Sequence, residues 1–194
     1  MADGTETING AKLIAELNDL LQLDHDAIGA YTLAIESVES TTYRETLEEF
    51  RRDHERHVRE LTRLVEAEGG TPAEAPHVPT GGFKLAVQAA GGAGKDRAVI
   101  LAFKANEGQS AEKYARAAER PHRPEVARVL QAAARDEAKH YEWAESRLKR
   151  LDAGPNTALG KAEAAFEAVH GASADAVEAV QRKVMEVVEK ARRK

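Results

Sequence analysis

Residues 50–64 read FRRDHERHVRELTRL, and residues 133–147, 83 positions further on, read AARDEAKHYEWAESR. In the first stretch, steps of three and four run through Phe50, His54, His57, Leu61 and Leu64. In the second they run through Ala133, Glu137, His140 and Ala144. Such steps trace one face of a helix, and that face should be apolar where it meets a core. Here it carries ionisable residues in its middle. At the same offset of 83, Asp24 aligns with Glu107, Tyr31 with Tyr114 and Asp53 with Asp136. Polar positions repeating at one offset without a gap mark a duplicated helical hairpin.

Working outward, the same period defines four helices. The first is predicted over about 9–40, with Leu13, Leu17, Leu20, Ile28, Tyr31, Ile35 and Val38 on its stripe. Thr42 with Glu45 three residues on reads as a capping box opening the second helix. Gly69-Gly70 reads as its left-handed C-terminal cap. A Gly-, Pro- and Ala-rich connection follows over about 69–95, with a short helix expected near 82–91. Connections of this length are unusual within a compact domain unless the chain must return along a bundle. The third helix is predicted from about Asp96 to Arg120. Pro124 suits the first position of the fourth. The expected organisation is therefore an all-α four-helix bundle over 1–152 and an Ala-rich extension over 153–194. Val177, Val180, Val184, Val187 and Ala191 predict an amphipathic helix in that extension.

Composition narrows the chemistry. The 194 residues are 31% charged and 5% aromatic, with net charge -5 and the two signs interspersed. No basic excess points to nucleic acid. The absence of cysteine removes disulfides, zinc ribbons, iron–sulfur clusters and thiol catalysis. The first ten residues show neither a charged n-region nor an apolar h-region. No apolar run reaches membrane-spanning length, so a soluble, cytoplasmic protein without membrane partners is expected.

Each stripe is interrupted at one level: Asp24 in the first helix, His54 and His57 in the second, Glu107 in the third, Glu137 and His140 in the fourth. Asp24 lies 16 residues before Ser40, and His54 and His57 lie 14 and 17 after it. Glu107 lies 14 before residue 121, and Glu137 and His140 lie 16 and 19 after it. At a rise of about 1.5 Å per residue, the residues of each hairpin meet roughly 20–28 Å from its turn. Buried carboxylates repel one another and are costly unless paired or metal-bound. Two divalent cations would offset Asp24, Glu107 and Glu137, and imidazoles would complete the coordination, a donor set suited to iron or manganese and acceptable to zinc. Tyr31 and Tyr114 are expected beside these ligands, with their hydroxyls on the ligand carboxylates. The stripes carry no Arg or Lys, so a metal-free core would leave the carboxylates without a cationic partner. His25, His77, His122 and His170 read as surface residues. The interleaved charges from Glu48 to Arg63 read as a solvated face.

These residues resemble the di-iron site of the ferritin-like and rubrerythrin-like four-helix bundles, in which two helices each give a Glu and two give Glu-x-x-His. Glu107 with Glu137-Ala-Lys-His140 matches in full, and Glu107-x6-Tyr114 is similar to the Glu-x6-Tyr of those proteins. The first hairpin departs: Asp24 stands for Glu, and His54 stands for the Glu that commonly bridges two metals. A neutral imidazole binds through one nitrogen, so the site is either an asymmetric di-metal centre or a single-ion site. The resemblance covers about residues 9–152. It implies a non-haem di-iron or di-manganese site and redox chemistry with oxygen or peroxide, or Fe(II) oxidation. Asp24, Glu107, His57 and His140 would be terminal ligands, Glu137 the bridge and His54 the variant ligand. Because the chain has no cysteine, an external electron donor is implied. A homodimer would give the extension helix a surface to cover. The alternatives are a non-enzymatic bundle holding one ion and a metal-free bundle acting as an interaction protein.

Overall fold

A computed structural model describes residues 10–75 and 95–151. The expected short helix at 82–91 and the expected C-terminal helix lie outside the described residues. Four helices make up the fold: α1 (Gly10–Ser37), α2 (Thr41–Ala67), α3 (Lys95–Ala118) and α4 (Pro124–Arg150). They form two hairpins, α1 with α2 and α3 with α4, and the hairpins pack with α1 against α3 and α2 against α4. The protein is an all-α four-helix bundle over these residues.

Local chemistry fixes the helix ends. α1 stops at Ser37 rather than near Ser40, and the Arg44 guanidinium donates to the Ile35 carbonyl in its last turn and to the Val38 carbonyl just beyond it. The start of α2 corrects the expected Thr42–Glu45 capping box. Ser40 is the N-cap and its hydroxyl accepts from the Tyr43 amide at 3.3 Å. The return half of a capping box is supplied by a different helix: the Asp96 carboxylate at the start of α3 accepts from the Glu39 and Ser40 amides. The C-terminal cap of α2 is as expected. Gly69 adopts φ 76°, its amide meets the Glu66 carbonyl, and the Gly70 amide meets the Val65 carbonyl. This double bond pattern satisfies carbonyls that the helix end would leave open. Gly70 is also required by space, because a Cβ there would lie 2.7 Å from Ile14 Cγ2. Pro124 opens α4 as predicted.

These ends orient the hairpins. Asp96 places the start of α3 beside the end of α1, whereas Gly70 packs the end of α2 on the start of α1. The connection after α2 therefore joins opposite ends of the bundle, which accounts for its length. Arg120 pairs with Glu16, and Arg123 with Glu68, so the α3–α4 turn lies at the end where α1 begins.

The core is divided. Towards the α1–α2 turn, Tyr31, Val38, Leu47, Phe50, Ile100, Phe103 and Leu148 form one apolar cluster. Towards the other end, Leu13, Leu17, Leu20, Leu61, Val126 and Leu130 form a second. Ile28 and Ile35, expected on the core stripe, are only half-buried. The buried positions are instead Ala27, Ala30 and Ala34, small residues that suit close helix approach. Between the two apolar clusters lies a polar layer.

Candidate metal centre

The buried polar residues are Asp24, His54, His57, Glu107, Ser110, Glu137 and His140, all at 0–1% exposure. Each was placed mid-helix by the apolar period, and each helix delivers its residues to the same level. Asp24, His54, His57 and Glu137 form one group whose ligand-type atoms all lie within 4.8 Å of one another; His54, Glu107, Glu137 and His140 form a second. The six expected ligands are thus brought together, and His54 and Glu137 belong to both groups.

The two hairpins cross-support each other. His57 on α2 directs Nε2 outward to Asp136 Oδ2 on α4 at 3.2 Å, and His140 on α4 directs Nε2 to Asp53 Oδ2 on α2 at 3.1 Å. Arg56 ties the two aspartates together, 2.7 Å from Asp53 Oδ1 and 2.6 Å from Asp136 Oδ2. Their inner nitrogens face the cluster. His57 Nδ1 is 3.5 Å from Asp24 Oδ1 and 3.4 Å from Glu137 Oε1, and His140 Nδ1 is 3.4 Å from Glu107 Oε2. His54 Nδ1 meets Asp24 Oδ1 at 2.8 Å. Tyr114 donates to Asp24 Oδ2 at 2.6 Å, as expected of a ligand carboxylate. The Tyr31 hydroxyl lies 3.4 Å from His140 Nδ1 and also interacts with the Glu107 carboxylate. Phe50 stacks on the His140 ring with centroids 4.1 Å apart, closing that side.

Several of these atoms are buried without a hydrogen-bond partner: both oxygens of Glu107 and of Glu137, His54 Nε2, His57 Nδ1 and Ser110 Oγ. Unpartnered buried carboxylates are costly and rare. They converge here with the free ring nitrogens, so the donor set fits cations. The chemistry of the donors, carboxylate oxygen and imidazole nitrogen, suits iron, manganese or zinc.

Protonation supplies an alternative neutralisation. Burial lowers the histidine pKa values, but the surrounding carboxylates more than reverse this. His57 is pushed up to about 11 by Asp136, Asp24 and Glu137, His140 up to about 9 by Asp53 and Glu107, and His54 upward by Glu137 and Asp24. Burial would raise Asp24, yet hydrogen bonds to His54 and His57 bring it down. Burial raises Glu137. Protonated imidazoles can thus carry balancing charge in a metal-free core, while both oxygens of Glu107 and of Glu137 still lack a hydrogen-bond partner there. No Lys or Arg among the described residues is buried.

The expectation of a solvated face over Glu48 to Arg63 is corrected at Asp53 and Arg56. Arg51 and Glu55 do form an i,i+4 pair there, but Asp53 and Arg56, both half-buried, are engaged with His140 and Asp136 on α4. The signal was present: Asp53 and Asp136 repeat at the same offset as the ligands. Ser110, on the α3 stripe three residues past Glu107, is fully buried as well. His25 is half-buried rather than exposed, and His122 Nε2 sits 2.8 Å from the Ala117 carbonyl at the α3 end. No helix among the described residues is long and apolar enough to cross a membrane.

Residues 12–90 match a family model described as a domain of unknown function (DUF2383). That match covers less than half of the 194 residues, taking in most of α1 and all of α2 but neither α3 nor α4. It therefore falls on the hairpin with the variant ligands Asp24 and His54. No curated protein and no solved structure matches the chain.

Proposed function

We propose that this chain is a ferritin-like metalloprotein that holds two transition-metal ions, iron or manganese, in the polar layer of its bundle. The observation that carries this reading is the pair of overlapping four-residue groups in which both oxygens of Glu107 and of Glu137, His54 Nε2 and His57 Nδ1 are buried without a hydrogen-bond partner. Asp24 and His57 would serve one ion, Glu107 and His140 the other, with Glu137 placed to reach both. When bound, such ions supply one-electron chemistry towards oxygen or peroxide, or accept Fe(II) as substrate.

The chain's own residues prepare the site. Asp136 and Asp53 accept from the outer nitrogens of His57 and His140, which orients each ring and leaves Nδ1 for the centre. Tyr114 holds the Asp24 carboxylate, offsetting its shorter reach. The aromatic cluster of Tyr31, Phe50 and Phe103 and the leucine cluster beyond Tyr114 keep bulk water from the polar layer. Reducing equivalents would come from an external donor, since the chain has no cysteine. A homodimer through the C-terminal extension belongs to the same proposal.

A second reading rests on the 2.8 Å contact of His54 with Asp24 and the raised histidines: a metal-free or single-ion bundle acting as a scaffold. Elemental analysis separates the two, on protein purified without chelator and after anaerobic Fe(II) loading. Near two ions per chain are expected. Glu137→Ala with His140→Ala should abolish uptake while helicity persists. Unchanged stoichiometry in that double variant would place the metal elsewhere, and no metal in the parent would leave the scaffold reading standing.

A further inference from the structure

We propose that His54 spans the two metal positions, with one ring nitrogen on each ion. This rests on the dinuclear reading above and assigns its bridge. His57 and His140 each commit Nε2 to an outer aspartate, so each has one nitrogen to offer. His54 has no such outer partner. Its Nδ1 faces Asp24 Oδ1 at 2.8 Å and Glu137 Oε1 at 3.5 Å, while Nε2 lacks a hydrogen-bond partner and faces Glu107 Oε2 at 4.0 Å. The two edges of one ring thus address the two ligand groups, and the ring is fully buried between them. In the repeat His54 occupies the position of Glu137, the other residue common to both groups.

The gaps suit ions. Metal–nitrogen bonds of about 2.0–2.1 Å and metal–oxygen bonds of about 2.0–2.2 Å put two neighbouring donors on one ion about 3–3.5 Å apart. The 4.0 Å Nε2–Glu107 gap closes by about half an ångström on an ion, and the 2.8 Å Nδ1–Asp24 contact opens by a similar amount. As the second ion binds, the remaining ring N–H bond breaks, a metal–nitrogen bond forms, and the proton passes to solvent. A rigid ring with an ion about 2 Å beyond each nitrogen sets the ions about 6 Å apart. Ions bridged by carboxylate alone sit about 3.5–4 Å apart. At the longer distance Glu137 no longer reaches both ions and serves the one held by Asp24 and His57, since its Oε1 lies 3.4 Å from His57 Nδ1 and 3.5 Å from His54 Nδ1.

The test is the ion–ion separation in the full chain loaded with Co(II), from anomalous scattering at the cobalt edge in crystals. Two ions about 6 Å apart, flanking the His54 ring, are expected. His54→Gln, which offers no second ring nitrogen, should fall from two Co(II) to one by elemental analysis, with helicity retained by circular dichroism. His54→Glu should restore two at the short separation. Two ions about 3.5–4 Å apart in the parent chain would overturn the ring bridge while leaving the dinuclear reading in place. One ion or none would overturn the dinuclear reading and the bridge with it.

Discussion

Asp53 and Asp136 decide which nitrogen of each histidine faces the centre. Each accepts from the Nε2 of a histidine on the opposite hairpin, and Arg56 holds both carboxylates below the usual Asp range together with those histidines. Loss of such a partner typically weakens metal binding about 10–100-fold, because the ring loses both its orientation and some basicity. Asp136→Asn and Asp53→Asn should each show a loss of that size in competition titrations against a chelator, with the helical spectrum unchanged. Affinity equal to the parent in both would mean that the inner nitrogens of His57 and His140 are not ligands. The six central residues were legible in the sequence because an ionisable side chain on an apolar stripe breaks an otherwise regular pattern. Asp53 and Asp136 were not, because each lies one position off its stripe among charges that periodicity assigns to solvent. Their shared offset of 83 pairs them, but only the contact across hairpins shows what they hold.

Among the elements, α2 and α4 each carry two of the six candidate ligands, and the two ends of α2 show different degrees of legibility. Its C-terminal cap follows from Gly69-Gly70, since a left-handed residue there is a local, glycine-dependent requirement. Its N-terminus was misplaced by two residues. Thr42 and Glu45 have capping-box spacing, but Ser40 takes the cap because Asp96, 56 residues away in sequence, already accepts the Ser40 amide. A tertiary partner of that kind leaves no local trace. Gly69→Ala should cost about 1–2 kcal/mol through the left-handed backbone. Ser40→Ala should cost about 1 kcal/mol through the lost cap bond. Both are measurable as shifts in the urea midpoint at constant slope, with metal stoichiometry unchanged because neither end contributes a ligand. The half-burial of Ile28 and Ile35 has the same lesson: a stripe fixes which face is inward but not its rotation against two neighbouring helices.

For the whole molecule, the polar layer between two apolar clusters makes stability depend on pH and metal in opposite senses. In the metal-free chain, His57 and His140 are raised from 6.5 to about 11 and about 9, and His54 is raised as well. A group raised on folding contributes fully below its free value and loses that contribution as pH climbs through its folded value. Asp24, Asp53 and Asp136 are lowered from 3.8, so their contribution is complete above that value and lost on acidification. Glu137, raised from 4.5 by burial, adds a penalty once it ionises. The metal-free bundle should therefore be most stable between about pH 4 and 6.5 and weaken from there towards pH 9 and beyond. Metal binding needs the histidines neutral and the carboxylates ionised, so its stabilisation grows over the same interval. Melting temperatures with EDTA and with saturating Mn(II), measured from about pH 5.5 to 9, should separate progressively as pH rises. A separation that narrows with pH would mean that bound metal does not replace the protons of this cluster, and would place the ion at a site other than His54, His57 and His140.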